Sequence, residues 1–128
     1  MRYLLAEEIL AIHDRVIGEF GGIKGIRDLN LLNSISERPK MAMMGKAFYP
    51  DVFSKAATYM EGLATYHVFS DGNKRAAITV TQVFLRAQGY TLRLETEEAY
   101  EFVLDVAQKK HTIEAIAKWL KKKSKRLR

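Results

Sequence analysis

No cysteine occurs anywhere in the chain, so disulfides and cysteine-based metal sites are excluded. A reducing cytosol fits that absence. Proline occurs only twice, at Pro39 and Pro50. No apolar run approaches the roughly 18 residues of a membrane-spanning helix. The opening MRYLLAEEIL soon turns acidic and lacks the apolar stretch and small-residue cleavage site of a secretory signal. The expected setting is therefore the cytoplasm, with no membrane. The Gly-rich signatures of P-loop and dinucleotide-binding proteins are missing, as is the serine elbow of hydrolases.

What is present predicts one domain. The chain has 128 residues and is 48% hydrophobic, enough for a single packed core. That domain is expected over residues 1–120, with a basic C-terminal tail over 121–128. The tail, KKKSKRLR, holds six basic residues and no acid. The rest balances 15 basic against 15 acidic residues, so the net charge of +6 belongs to the tail. A frayed, solvated end is its simplest reading. Weak attraction to nucleic acid or an acidic partner is the sharper one, with the chain as a non-catalytic binding regulator. No aromatic residue is interleaved there, which disfavours a single-strand binder.

Helical periodicity dominates. Ile9, Ile12, Val16, Ile17 and Phe20 share one face of a first helix, ended by Gly21-Gly22. His13 is read as packing beside that helix. Asp28 caps a second helix, which stops before Pro39. Residues 37–49 have no period and contain Met41, Met43 and Met44 beside Gly45. Such a length suits a functional flap, and methionines suit either docking or core filling. Asp51 caps a third helix. A fourth, apolar nearly all round, runs from Ala76 to Ala87 and should be central. Tyr90, Leu92 and Leu94 alternate with polar residues, as in a short strand or extended link. Thr96 and Thr112 are expected to cap the last two helices. The fold class is all-α, a compact bundle of about six helices with at most a minor β element.

Between the third and fourth helices lies HVFSDGNKRA, His67 to Ala76. Asp71-Gly72 reads as a turn, after which Asn73, Lys74 and Arg75 open a helix. Cations at a helix start oppose the dipole, a conflict that a bound phosphate would resolve. His67 suits proton abstraction near neutral pH. Asp71 suits Mg²⁺, which takes one or two carboxylates plus phosphate oxygens and water. Gly72 lets the backbone approach phosphates, Asn73 can donate to one, and Lys74 and Arg75 supply a point charge and a bidentate fork. Taken singly, each has a plain structural explanation: a helix cap, a solvated face, a packed imidazole. Their density is what points to phosphate chemistry.

The stretch HVFSDGNKR resembles the signature of Fic-domain proteins, roughly HPFxxGNGR, and most closely that of the Doc (death-on-curing) branch. In that branch a lysine stands where most Fic proteins have the second glycine; here it is Lys74. FGGIKGIRD (Phe20 to Asp28) and FLRAQGY (Phe84 to Tyr90) extend the likeness. The resemblance implies a helical fold with a flap that presents a target hydroxyl. It implies a toxin, neutralised by an acidic antitoxin, that transfers the γ-phosphate of ATP to a threonine or serine of a translation factor, with elongation factor Tu the expected target. Transfer of AMP, as in most Fic proteins, is the alternative. By the same resemblance His67 is the general base and Asp71 the metal ligand. Gly72, Asn73 and Arg75 meet the phosphates, and Lys74 marks the branch.

Overall fold

The computed structural model describes residues 1–127. Six helices form: α1 (Ala6–Phe20), α2 (Leu29–Glu37), α3 (Val52–Thr65), α4 (Asn73–Ala87), α5 (Thr96–Ala107) and α6 (Ile113–Lys123). Two minor antiparallel pairs complete it: β1 (Ala42–Met43) with β2 (Lys46–Ala47), and β3 (Tyr90–Leu92) with β4 (Ser124–Arg126). The all-α expectation of six helices with a minor β element is what the chain adopts.

The core is built around α3 and α4. Small residues allow their backbones to approach: Ala56, Ala57 and Gly62 on α3, Ala76 and Ala77 on α4, all buried. At Gly62 an added Cβ would meet Ile35 at 2.8 Å, so α2 packs directly on that glycine. Tyr59, Phe84 and Leu85 fill the space beyond, fully buried, with Tyr59 and Phe84 centroids 5.0 Å apart. Truncating a ring such as Phe84 in a packed interior costs about 3–5 kcal/mol. Where α5 meets α6, Phe102 and Trp119 stack at 3.7 Å.

Helix starts follow local chemistry. Asp28 accepts from Leu31 N–H at 3.0 Å, and Thr112 from Ala115 N–H at 3.1 Å. Asp51 and Ser54 cap each other reciprocally. Such caps contribute about 1 kcal/mol each. Thr96 differs from its expected role: it is already helical, Glu95 holds the cap position, and no side chain caps α5.

Two further expectations are corrected. Phe20 follows the apolar face of α1 in sequence but is 58% exposed, because α1 ends there and its ring meets the Arg75 guanidinium at 4.1 Å rather than the core. Over its described residues, 121–127, the C-terminal segment is not frayed, and Arg128 lies outside the described residues. Lys121–Lys123 form the last turn of α6, where cations suit the dipole, and Ser124–Arg126 pair with β3. Leu127 N–H donates to Gly89 O at 2.7 Å, and Lys123 binds Glu98 at 2.7 Å. Backbone pairing overrides the tendency of like charges to keep such a stretch extended in water.

Within the region 37–49, Glu37 ends α2, Arg38–Lys40 form a 3-10 turn, and residues 42–47 form a hairpin. Met43 and Met44 stand in solvent, Met44 at 99% exposure, so docking rather than core filling is their available use. The base of the hairpin is tied down. Arg38 meets Glu61 on α3 at 2.7 Å and Tyr49 at 3.2 Å, and Lys55 donates to the Tyr49 carbonyl. Burial pulls the Arg38 guanidinium down, but Glu61 and Tyr49 outweigh it and hold its pKa raised.

Candidate active site

The segment from His67 to Gly72 crosses between α3 and α4 and is pinned from both sides. Val68 and Phe69 are buried, which turns His67, Ser70 and Asp71 toward solvent. The segment between α1 and α2 runs alongside it. Val68 O accepts from Arg27 N–H at 2.7 Å and Asp28 N–H at 3.1 Å, and Ser70 N–H donates to Gly25 O at 3.1 Å. The stretch from Ile23 to Asp28 thus braces the loop through its backbone, while Phe20 ahead of it offers a ring. Asn73 closes a small ring: its Oδ1 accepts from Phe69 N–H and its Nδ2 donates to Phe69 O, both at 3.0 Å. The amide assigned by sequence to a phosphate also braces the loop, with one Nδ2 hydrogen left over.

A residue read as mere packing proves central. His13 is fully buried on α1, stacked on Phe69 with centroids 3.8 Å apart. Its Nε2–H donates to the Asp71 carbonyl at 2.7 Å. Nδ1 is buried without a hydrogen-bond partner among the described residues, with Asp14 Oδ1 3.8 Å away, so Asp71 is the one hydrogen-bond partner of this ring there. The available signal was its register: His13 falls four residues after Ile9 and four before Ile17, on the inward face of α1.

Asp71 is exposed, its carboxylate lightly held by Ile23 N–H at 3.2 Å and by Gly72 N–H at 2.9 Å. At Gly22 (φ +125°) a Cβ would strike Asp71 Oδ2 at 2.7 Å, so only glycine leaves room for the carboxylate. Gly72 (φ +73°) takes the left-handed conformation that lets α4 start abruptly. As a metal site, one exposed hard-oxygen donor fits Mg²⁺ completed by phosphate oxygens and water. No cluster of three His, Cys, Asp or Glu able to cage an ion exists among the described residues.

The start of α4 is unlike every other. The helices α2, α3 and α6 carry a side-chain cap, and α1 and α5 carry two glutamates each in the first turn. Helix α4 has neither a cap nor an acid there, only Lys74 and Arg75. Among the described residues neither cation joins an ion pair. Arg75 lies over the Phe20 ring at 4.1 Å, with Tyr100 at 5.8 Å. Free N–H groups, the positive dipole end and two unpaired cations converge on a cleft of about 190 Å³, bounded by Asp71 to Arg75 and Tyr100. The structure thus brings Asp71, Gly72, Lys74 and Arg75 to one cleft. His67 is exposed on the preceding loop, outside its walls.

This geometry coincides with a family match: the Fic/DOC family model covers residues 3–85. The chain belongs to the Fic/DOC family. It is 30% identical over 122 residues to "Protein kinase doc" of Escherichia phage P1, covering 95% of each chain. It is 33% identical over 100 residues to "Toxin Doc" of Mycolicibacterium smegmatis, covering 77% of each. The family match spans α1 to α4 with the hairpin and loop, and stops short of the groove wall that α5 supplies.

Proposed function

We propose that the chain is the toxin of a toxin–antitoxin pair, a Mg²⁺-dependent protein kinase that passes the γ-phosphate of ATP to a threonine or serine of a translation factor. The observation that carries this reading is the α4 N-terminus, uncapped and bearing two unpaired cations, beside an exposed imidazole. Both relatives carry names of this kind, one a kinase and one a toxin. Elongation factor Tu is the proposed target, an acidic antitoxin the proposed restraint, and the cytoplasm the setting.

Phosphoryl transfer asks the protein mainly for position and charge. The target hydroxyl is presented along the β1–β2 hairpin, whose methionine-bearing tip is free and whose base is clamped. His67 takes the hydroxyl proton. The oxygen bonds to the γ-phosphorus as the bond to the bridging β-oxygen breaks, and ADP leaves. Lys74, Arg75 and the free N–H groups of α4 hold the phosphates against this charge shift. Mg²⁺, held by Asp71 when bound, neutralises phosphate charge.

The test is transfer from ATP labelled at either the α- or the γ-phosphorus into host protein, with mass spectrometry of the product. Label from the γ position and a phosphorylated peptide are expected. Label arriving only from the α position would overturn the kinase reading in favour of AMP transfer.

A further inference from the structure

Helix α6 buries Ile116 and Leu120 and turns Lys118, Lys121 and Lys122, spaced i, i+3 and i+4, to solvent as one face. Arg126 of β4 lies beside them, its guanidinium 5.7 Å from the Tyr90 ring. The α6 dipole accounts for Lys121 and Lys122 at the C-terminus, but not for Lys118 in mid-helix or Arg126 on a strand. Among the described residues none of these four cations forms an ion pair. The acids nearby are Glu114, one turn before Lys118, and Asp51, whose Oδ1 already accepts from Ser54 N–H.

Lys118 and Lys121 stand as a ridge between two shallow clefts of about 580 and 560 Å³ and wall both. Phe53 and Tyr90, edge to face at 5.0 Å, line the first. Trp119, one face stacked on Phe102, lines the second. Residues 121–127 contain no ring, yet the fold sets rings on either side of the lysines. Cations bordered by rings suit a single-stranded nucleic acid: lysine meets the phosphates, and the rings meet bases of any kind. An acidic peptide would use the cations and leave the rings idle. We propose that this face of α6, with Tyr90 and Arg126 of the β3–β4 pair, binds single-stranded nucleic acid. It lies at the opposite end of α3 from the phosphate cleft. Phe53 opens α3 and the His67 loop follows its last residue, about 20 Å along the axis. Of these groups only Phe53 falls within the family match, which ends at residue 85. The surface is therefore separate from the transfer chemistry.

Trp119 is the only tryptophan of the chain, so its emission reports on the second cleft. Labelled oligouridylate, oligothymidylate and polyglutamate are titrated against the full chain over a range of salt, following anisotropy and Trp119 emission. Both oligonucleotides should bind with a Kd below about 10⁻⁴ M and quench Trp119, and polyglutamate should bind more weakly without quenching. The ratio of the two oligonucleotide affinities tells whether RNA or DNA is preferred. Lys118→Gln combined with Lys121→Gln keeps good helix formers and should leave phosphoryl transfer unaltered. It should weaken oligonucleotide binding about tenfold and lower the slope of log Kd against log salt by about 1.4, the share of two phosphate contacts. No binding by the unaltered chain, or an unaltered salt slope in the double variant, overturns the proposal. Binding without quenching, or polyglutamate bound as tightly as the oligonucleotides, overturns it in favour of an acidic protein partner.

Discussion

Two basic clusters end two helices of this protein in opposite ways. Lys121, Lys122 and Lys123 close α6, where the dipole welcomes cations, and Lys123 also pairs with Glu98. Lys74 and Arg75 open α4, where the dipole repels them, and neither is paired among the described residues. The first cluster serves the fold, and the second works against its helix. The difference teaches that a cation's place on a helix says more about function than the number of cations nearby.

The largest test of this contrast bears on the group beside the second cluster. His67→Ala should lower phosphoryl transfer by about 10²–10⁴, the contribution of a positioned general base, in timed assays with labelled ATP. His67 is exposed, so thermal melting should not move. Lys74→Glu attacks the cluster itself. It should cut transfer by about 10²–10³, as loss of a charge-stabilising group does. It should also raise stability by about 0.5 kcal/mol, since an acid suits a helix start. A variant that is less active and less stable would break the contrast.

His13→Leu sharpens it from beneath. The ring stack on Phe69 gives way to aliphatic contact, and the Asp71 carbonyl loses its donor. Turnover should fall by up to about 10²-fold through loop misplacement, with KM for the target protein unchanged. His13→Gln, which keeps a donor, should recover most of it. A purely structural role would show as lost melting temperature with no recovery. The smallest effect belongs to the first cluster. Replacing Lys121 and Lys122 together by glutamate should cost about 1 kcal/mol in denaturant unfolding and leave transfer unaltered.

Much of this was legible locally. The stripe Ile9, Ile12, Val16 and Ile17, the caps Asp28, Asp51 and Thr112, and the turn at Asp71-Gly72 all depend on neighbours a few residues away. The candidate residues of the loop were legible for the same reason, since six of them lie within nine positions. What failed depended on distant partners. Periodicity put His13 on a helix but could not say that Asp71, 58 residues on, would meet it. Phe20 fitted the apolar stripe of α1, yet it stays largely exposed against the Arg75 guanidinium of α4.

The order of residues alone determined six helices, a flap without helical period, and a cluster of anion-seeking groups at the wrong end of a helix. Those are short-range matters of period, capping and dipole. Only the tertiary structure decided that His13 steadies the loop, that Ser124–Arg126 pair as a strand, and that α5 flanks the phosphate cleft. Each needs surfaces far apart in the chain to meet, and that meeting is set by how the whole core packs.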